Sequence, residues 1–199
     1  MNVQMKYGIA GLLIGGLIVW LVTGATLNSN KTGMMKNSGN FEMASANIDA
    51  HFIEQMIPHH EDAITMAKLA LTKAKRPEVK KLAEEIIESQ GKEITQMKNW
   101  YQNWYGKEVP ENPGGMMGKN SGMHGGMMGD ESDMTNLEQA SDFDKAFVEE
   151  MIPHHQMAVM MATMLKSGTE RQEMKQLAEN IITAQNTEIN QMRGWLKSW

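Results

Sequence analysis

Two histidine pairs are the residues of this sequence whose type and spacing could do chemistry. The segment Met-Ile-Pro-His-His occurs at Met56–His60 and again at Met151–His155, 95 positions later. Neutral imidazole is the commonest metal ligand in proteins. A single histidine on an apolar helix face is usually a core residue, but an adjacent pair that recurs with its methionine is harder to explain in that way. The pairs therefore predict two metal sites.

The repeat extends well beyond the two short segments. At the same offset, Phe52 matches Phe147 and Trp104 matches Trp199, and no gap interrupts the register between them. A repeat of this length indicates two tandem modules of the same structure. If the motif binds a ligand, the chain has two equivalent sites.

Methionines accompany the histidines at helical spacing. Residues three and four apart share a helix face, so Met56 would lie beside His59 and His60. In di-iron helix bundles a carboxylate occupies this place, in the motif Glu-x-x-His. Thioether sulfur is softer and selects Cu(I), and the same softness suits Ag(I).

The two modules offer twelve candidate metal ligands. Methionine also fills apolar cores, and a glutamate at a helix edge is commonly solvated, so packing is the alternative for these two residue types. Gln90 and Gln185 interrupt the apolar stripe and are expected to hydrogen-bond a histidine. The candidate ligands are His59, His60, His154, His155, Met56, Met151, Met66, Met161, Met97, Met192, Glu93 and Glu188.

A second group of candidate ligands lies between the modules. Met123, His124, Met127 and Met128 belong to a stretch rich in glycine. Glycine restricts the backbone little, so this stretch could wrap a soft ion without a fixed fold. The alternative is a low-complexity linker in which methionine has no ligand role.

The elements that must position these residues are helices. Apolar residues recur with a period of about 3.6 in each module, and each module reads as two antiparallel helices. Proline is favoured at the first position of a helix, which Pro77 would occupy. Glycine is favoured just after the end of a helix, where the chain often takes a left-handed conformation, and Gly168 would occupy that position. One hairpin cannot cover its own apolar stripe, so two hairpins predict an all-α four-helix bundle.

Composition divides the chain into five segments. Residues 1–27 are a membrane anchor or signal segment, and residues 28–45 are a flexible tether. Residues 46–105 form the first hairpin module, and residues 137–199 form the second. Between them, residues 106–136 hold almost no apolar residue other than methionine, so they are expected to be a disordered linker.

The N-terminal segment directs the rest of the chain out of the cytoplasm. Gly8 to Leu27 is uncharged and mostly apolar, about the twenty residues that a helix needs to cross a bilayer. Lys6 precedes this stretch and the next charge is Lys31, so the modules are expected on the outer side of the membrane. A cleaved signal peptide, with an apolar core of only ~7–15 residues, is the alternative. The modules would then be secreted rather than anchored.

Composition narrows the class of ligand. The net charge is −5, which argues against a nucleic-acid surface. The chain has no cysteine, so disulfide and thiolate chemistry are excluded. It has 21 methionines, although methionine is not normally among the common residues. This excess favours a soft metal ion as the ligand.

These motifs resemble a bacterial family known as domain of unknown function 305. The resemblance rests on F-x-x-x-M-I-P-H-H-x-x-A-x-x-M-A followed by L-A-x-x-I-I-x-x-Q-x-x-E-I-x-x-M-x-x-W. It covers both modules and neither the N-terminal segment nor the linker. It implies a ferritin-like helical fold, and because several family members look like exported copper-handling proteins, it implies copper as the metal. The modules differ internally: Glu61-Asp62 becomes Gln156-Met157, and Thr65 becomes Met160.

Three functions remain open on the sequence. The first is an extracytoplasmic protein that buffers Cu(I) or Ag(I), or passes it to a copper transporter or acceptor protein. The second is a ferritin-like metal-dependent oxidase, which would need clustered carboxylates. The third is an interaction module without metal, whose paired histidines respond to pH. No catalytic residue is predicted, and the sequence does not indicate an oligomeric state.

Overall fold

The fold is described by a computed structural model for residues 38–111 and 131–199, with side chains for residues 48–111 and 134–199. Every regular element in these two ranges is a helix, which confirms the predicted all-α class. The helices are α1 (Ser38–Lys73), α2 (Pro77–Tyr105), α3 (Glu131–Glu138), α4 (Phe143–Gly168) and α5 (Gln172–Ser198).

The four long helices pack as two hairpins. Helix α1 packs against α2, α4 packs against α5, and α1 and α4 pack against each other. Helix α2 begins at Pro77, as predicted, because proline at the first position loses no intrahelical hydrogen bond. It ends at Gly106, whose φ of 67° is the left-handed conformation that glycine adopts without steric cost.

The core consists of two apolar clusters at different heights along the helices. Cluster A joins the second half of α1 to the first half of α4, and cluster B joins the first half of α1 to the second half of α4. Helices α1 and α4 therefore run antiparallel. The buried members of cluster A are Ala63, Met66, Ala67, Ala70, Ala74, Val79, Leu82, Ala83, Ile86, Leu137, Phe143, Phe147, Val148, Met151, Ile189 and Met192. Those of cluster B are Phe52, Ile53, Met56, Ile57, Ile94, Met97, Tyr101, Ala158, Ala162, Leu165, Met174, Leu177, Ala178 and Ile181.

Two helices extend into segments that the sequence assigned to the tether and the linker. Helix α1 begins at Ser38, inside the expected tether. From Asn40 to Ile57 the sequence has no glycine or proline to oppose the helix, and lengthening an existing helix adds a hydrogen bond for each residue fixed. Helix α3 covers the last residues of the expected linker because Leu137, fully buried in cluster A, anchors it.

The expected membrane segment, Gly8 to Leu27, lies outside the described residues. Within the described ranges, none of the helices combines the length and the apolar character that crossing a membrane requires.

The end of α4 differs from the prediction. Gly168 is the last residue of the helix, and among the described residues only Gly106 has a positive φ. Gly168 instead leaves room for a neighbour, since a Cβ atom at this position would collide with Cδ1 of Ile48. Close approach of α1, rather than a left-handed turn, explains the glycine.

Each hairpin turn is held by a buried aspartate of the other hairpin. Asp144 of α4 accepts hydrogen bonds from the backbone N–H of Lys75 at 3.0 Å and of Arg76 at 3.2 Å, and from the Arg76 guanidinium at 3.1 Å. At the equivalent positions, 95 residues apart, the Arg171 side chain forms an ion pair with Asp49 at 3.2 Å. These contacts fix how the two hairpins are placed against each other.

The arginines of these ion pairs also cover equivalent tryptophans. The guanidinium carbon of Arg76 lies 4.1 Å from the centre of the Trp199 ring, and that of Arg171 lies 4.1 Å from Trp104. Positions related by the sequence offset thus make the same contacts.

Replacing Asp144 by alanine should destabilise the bundle. Asp144→Ala leaves the N–H groups of Lys75 and Arg76 without their acceptor, and we expect a loss of about 3 kcal/mol in unfolding free energy. The measurement is urea denaturation followed by circular dichroism. Asp142→Asn is the comparison, because asparagine keeps the cap of the Lys145 N–H and loses only the more exposed ion pair of Asp142 with Arg76. An equal, small effect of both changes would contradict the anchoring role.

Candidate metal centre

The four histidines form a polar layer between the two apolar clusters. On α1, cluster B ends at Ile57 and cluster A begins at Ala63, so His59 and His60 lie between them. On α4, His154 and His155 lie between Met151 and Ala158 in the same way. We call His59, His60, His154 and His155, with Glu93 and Glu188, the histidine layer.

The first histidine of each pair meets its counterpart at the centre of the bundle. The ring centroids of His59 and His154 are 3.8 Å apart, with an angle of 40° between the ring planes. Within each pair the rings are farther apart, at 6.3 Å and 6.4 Å. The antiparallel packing of α1 and α4 brings together two motifs that are 95 residues apart in the sequence.

The second histidine of each pair is held by a glutamate of the same hairpin. Nε2 of His60 lies 2.7 Å from Oε2 of Glu93, and Nε2 of His155 lies 2.6 Å from Oε2 of Glu188. An ionised carboxylate only accepts hydrogen bonds, so Nε2 carries the proton and donates it. In neutral rings each Nδ1 atom then keeps its lone pair. Histidines that bind metals commonly donate their other N–H to a carboxylate in this way.

Six of the eight ring nitrogens of the layer are buried without a hydrogen bond. No partner lies within the described residues for either ring nitrogen of His59 and His154, for Nδ1 of His60 and His155, or for Oε1 of Gln90 and Gln185. A buried polar atom without a partner costs on the order of 1–3 kcal/mol. A ligand that accepts the lone pairs of the ring nitrogens would recover part of this cost. These donor atoms fit a metal ion that prefers imidazole nitrogen.

Burial keeps the two central histidines neutral. Loss of hydration, with a smaller contribution from the neighbouring imidazoles, lowers the pKa of His59 to about 3 and that of His154 to about 2. The uncharged ring is the form of histidine that binds metals. The rings of His59 and His154 can therefore bind a cation without first losing a proton.

The candidate methionines of the modules flank the layer. Met56, Met97 and Met161 belong to or pack against cluster B, and Met66, Met151 and Met192 belong to cluster A. Five of the six are buried, and Met161 is half-buried. Packing in the apolar core is a sufficient reason for methionine at these six positions. Whether their sulfur atoms also bind an ion stays a prediction.

The linker residues Met123, His124, Met127 and Met128 lie outside the described residues. In the ranges that the structure does describe, no group of three or more His, Asp or Glu side chains is placed to hold one metal ion, and this includes the histidine layer. The chemistry of the layer depends on imidazole nitrogen, with thioether sulfur in the flanking clusters.

Sequence reasoning missed two residues that the fold brings together. His51 and Met164 line one surface groove of about 260 Å³ between α1 and α4. Met164 could have been found from its spacing, because it follows His154 by ten residues and Met161 by three. The proximity of His51 to Met164 could not have been found from spacing, because it depends on the packing of α1 against α4.

Residues 49–196 match the family model for the domain of unknown function DUF305. The chain belongs to the DUF305 family. The resemblance inferred from the two motifs is thereby confirmed, and the matched range includes both histidine pairs.

Solved structures of the protein CopM are similar to this chain. The Cu(II)-bound form is 52% identical, with a TM-score of 0.67, over 76% of this chain and 97% of that one. CopM has also been solved bound to Cu(I), at 48% identity and a TM-score of 0.64, over 76% of this chain and 96% of CopM. A third form contains silver, with 47% identity, a TM-score of 0.65 and the same coverage.

Two further relatives are more distant or shorter matches. A DUF305 protein of Streptomyces coelicolor, provisionally described as secreted, is 25% identical over 76% of this chain and 93% of its own, with a TM-score of 0.66. The uncharacterized protein L153 of Acanthamoeba polyphaga mimivirus is 47% identical over 49 residues. That match spans 25% of this chain and only 32% of the viral protein.

The stability of the metal-free protein should fall with pH below the ordinary histidine pKa. The unfolded chain takes up protons near pH 6.5, whereas folded His59 and His154 stay neutral until about pH 3 and pH 2. Between pH 6.5 and pH 4, each should therefore lower the unfolding free energy by up to about 1.4 kcal/mol per pH unit. Chemical denaturation at a series of pH values measures this slope.

The double variant His59→Gln/His154→Gln is the control for this slope. It removes both titrating groups, so its stability should depend less steeply on pH over the same range. The same slope in both proteins would show that other groups cause the dependence.

Proposed function

We propose that this protein is an extracytoplasmic copper-binding protein that buffers Cu(I) or passes it on, with Ag(I) as a second ion that it accepts. The observation that carries the proposal is the centre of the histidine layer, where the buried, neutral rings of His59 and His154 have no hydrogen-bond partner among the described residues. The similarity to CopM, solved with copper and with silver, supports the choice of metal.

The surroundings of the layer favour a monovalent ion. Apolar clusters lie above and below it, and its two carboxylates are each engaged by a histidine. Burying a charge in such surroundings is costly, and the cost grows with the charge of the ion. Imidazole nitrogen together with thioether sulfur suits Cu(I) better than iron or magnesium, which prefer harder oxygen ligands.

We assign different roles to the residues of the layer. His59 and His154 supply the central ring nitrogens, and His60 and His155 offer Nδ1. Glu93 and Glu188 position the outer histidines rather than bind the ion, because their Oε2 atoms lie within hydrogen-bond distance of Nε2. The methionines of clusters A and B are the nearest source of additional soft ligands.

The proposed location rests on the sequence and on a relative. The apolar segment from Gly8 to Leu27 would anchor the chain in the membrane or direct its export. The Streptomyces relative, provisionally described as secreted, supports an extracytoplasmic location. A protein that passes on copper there requires a copper transporter or an acceptor protein as its partner.

The equivalent contacts of the two hairpins support an origin by tandem duplication. His60 contacts Glu93 as His155 contacts Glu188, and Asp144 pairs with Arg76 as Asp49 pairs with Arg171. Each pair of contacts is related by the same offset in sequence. The central histidines, in contrast, come one from each module and form one shared centre.

The other two functions have less support. An oxidase of the ferritin type would need free carboxylates beside the histidines, whereas Glu93 and Glu188 are hydrogen-bonded to them. A pH-responsive module without metal would change its structure when the histidines gain protons. A cooperative transition near pH 6 in metal-free protein, together with no binding of Cu(I), would favour this last function.

A competition experiment tests the copper proposal. The full-length protein in detergent, kept anaerobic and reduced, is titrated with Cu(I) against a chromophoric Cu(I) chelator. We expect His59→Gln/His154→Gln to lose the tightest-bound ion, while Lys68→Gln, an exposed residue on the same helix, retains it. Equal Cu(I) affinity of the wild type and the double variant would overturn the proposal.

The positioning role of the glutamates predicts a smaller effect. In Glu93→Gln an amide oxygen replaces the carboxylate and accepts a weaker hydrogen bond from Nε2 of His60. The ring is then held less firmly and is less basic. Loss of such an outer contact typically lowers metal affinity about 10–100-fold. The same competition experiment measures it, with the exposed Glu84→Gln on the same helix as the control. Complete loss of the tightest ion in Glu93→Gln would show instead that Glu93 is a direct ligand.

A further inference from the structure

An exposed row of methionines is present on α4 and has no counterpart on α1. Met160 and Met164 are 50% and 62% exposed, whereas most large apolar side chains of the described part are buried. The equivalent residues of the first module are Thr65 and Leu69. Exposing an apolar side chain contributes nothing to the stability of the fold, so core packing does not explain these methionines.

One of these two methionines, Met164, belongs to a stripe of residues on α4 that begins at the histidine layer. His154, Met157, Met161 and Met164 follow one another at intervals of three, four and three residues. Residues at these intervals lie on the same helix face. The stripe therefore runs along α4 from the layer towards the surface groove.

A histidine of α1 lies at the outer end of this stripe. His51 is exposed and lines the same groove of about 260 Å³ as Met161 and Met164. It precedes His59 by eight residues, which is roughly 12 Å along a helix. The groove is thus separate from the histidine layer and is open to solvent. Two methionines and one histidine are among the seven residues that line it.

His154 is the only member of the two histidine pairs that is not fully buried. It is half-exposed as a residue, although both of its ring nitrogens are shielded, whereas His59, His60 and His155 are at most 1% exposed. Met157, half-buried, lies one helical turn from it. An ion that reaches the layer from solvent would therefore arrive most directly along the stripe on α4.

We propose that His51, Met161 and Met164 form a surface site that captures a soft monovalent ion, Cu(I) or Ag(I), and that Met157 connects this site to His154. The inference rests on the proposed function of the histidine layer. The two thioethers are soft ligands that select Cu(I) over the hard divalent ions, and imidazole also suits copper. The flexible methionine side chains can move with the ion, because each has three rotatable bonds. Metal would then enter the bundle along α4, on the side that the second module forms.

The test uses silver as the probe and the methionine methyl groups as reporters. Full-length protein in detergent, labelled with 13C at the methionine methyl groups, is titrated with Ag(I) and followed by two-dimensional NMR. Single Met→Leu variants assign the resonances. We expect the resonances of Met161 and Met164 to shift on addition of Ag(I). The resonance of Met160, which is exposed on the same helix but does not line the groove, should not shift.

A second protein separates this inference from the proposed function. In His59→Gln/His154→Gln the histidine layer is disabled, and the shifts of Met161 and Met164 should persist. Such shifts, together with an unchanged affinity for the tightest ion, would support the groove while overturning the function of the layer. Tight binding by the wild type without any shift of Met161 and Met164 would overturn the groove alone.

The connection to the layer is tested by the rate of loading. Met161→Leu/Met164→Leu should lose the groove ion and load the layer more slowly from a Cu(I)–chelator complex, with the final affinity of the layer unchanged. Met160→Leu is the matched control and should load as the wild type does. Equal loading rates in all three proteins would overturn the route. Groove resonances that shift with protein concentration in the absence of silver would instead identify a self-association surface and overturn the capture site.

Discussion

The contact between the rings of His59 and His154 is the constraint on which the rest of the structure depends. Two imidazoles at 3.8 Å, each with both nitrogens unpaired, occupy the middle of an apolar bundle. Such a layer opposes folding, because buried polar atoms lose their water and gain no partner. Clusters A and B, above and below it, must supply the apolar burial that offsets this cost. The core is therefore divided where an uninterrupted apolar core would be more stable.

A centre made from two hairpins requires that the hairpins be held in register. Asp144 holds the turn between α1 and α2 from the other hairpin, and Asp49 lies beside Arg171 just before α5. Burial raises the pKa of Asp49, and Thr169 and Arg171 offset part of that rise. Asp144 lies at the start of α4 and Asp49 lies within α1, each ten residues before the first histidine of its own helix. They fix the relative height of α1 and α4, and hence the distance between the central histidines.

The two modules share a centre but differ in their outer surfaces. The contacts of His60 with Glu93 and of His155 with Glu188 are nearly identical in length. The helix surface beyond His154 carries Met157, Met160 and Met164, where the first module has Asp62, Thr65 and Leu69. Equivalent residues serve the shared interior, whereas the exposed residues are free to diverge. The bundle therefore combines a nearly symmetric interior with an asymmetric surface.

The sequence by itself determined the helical class, the four long helices, the duplicated motif and the preference for a soft ion. These follow from the period of the apolar residues, the internal offset and the chemistry of imidazole and thioether, all of which are local. The anchoring of α3 by Leu137 and the reason for Gly168 were decided by packing. Only the tertiary structure could show that His59 meets His154 across the modules, that Glu93 and Glu188 hold the outer rings, and that His51 lies beside Met164. Each of these depends on the relative placement of α1, α2, α4 and α5, which no spacing within one helix encodes.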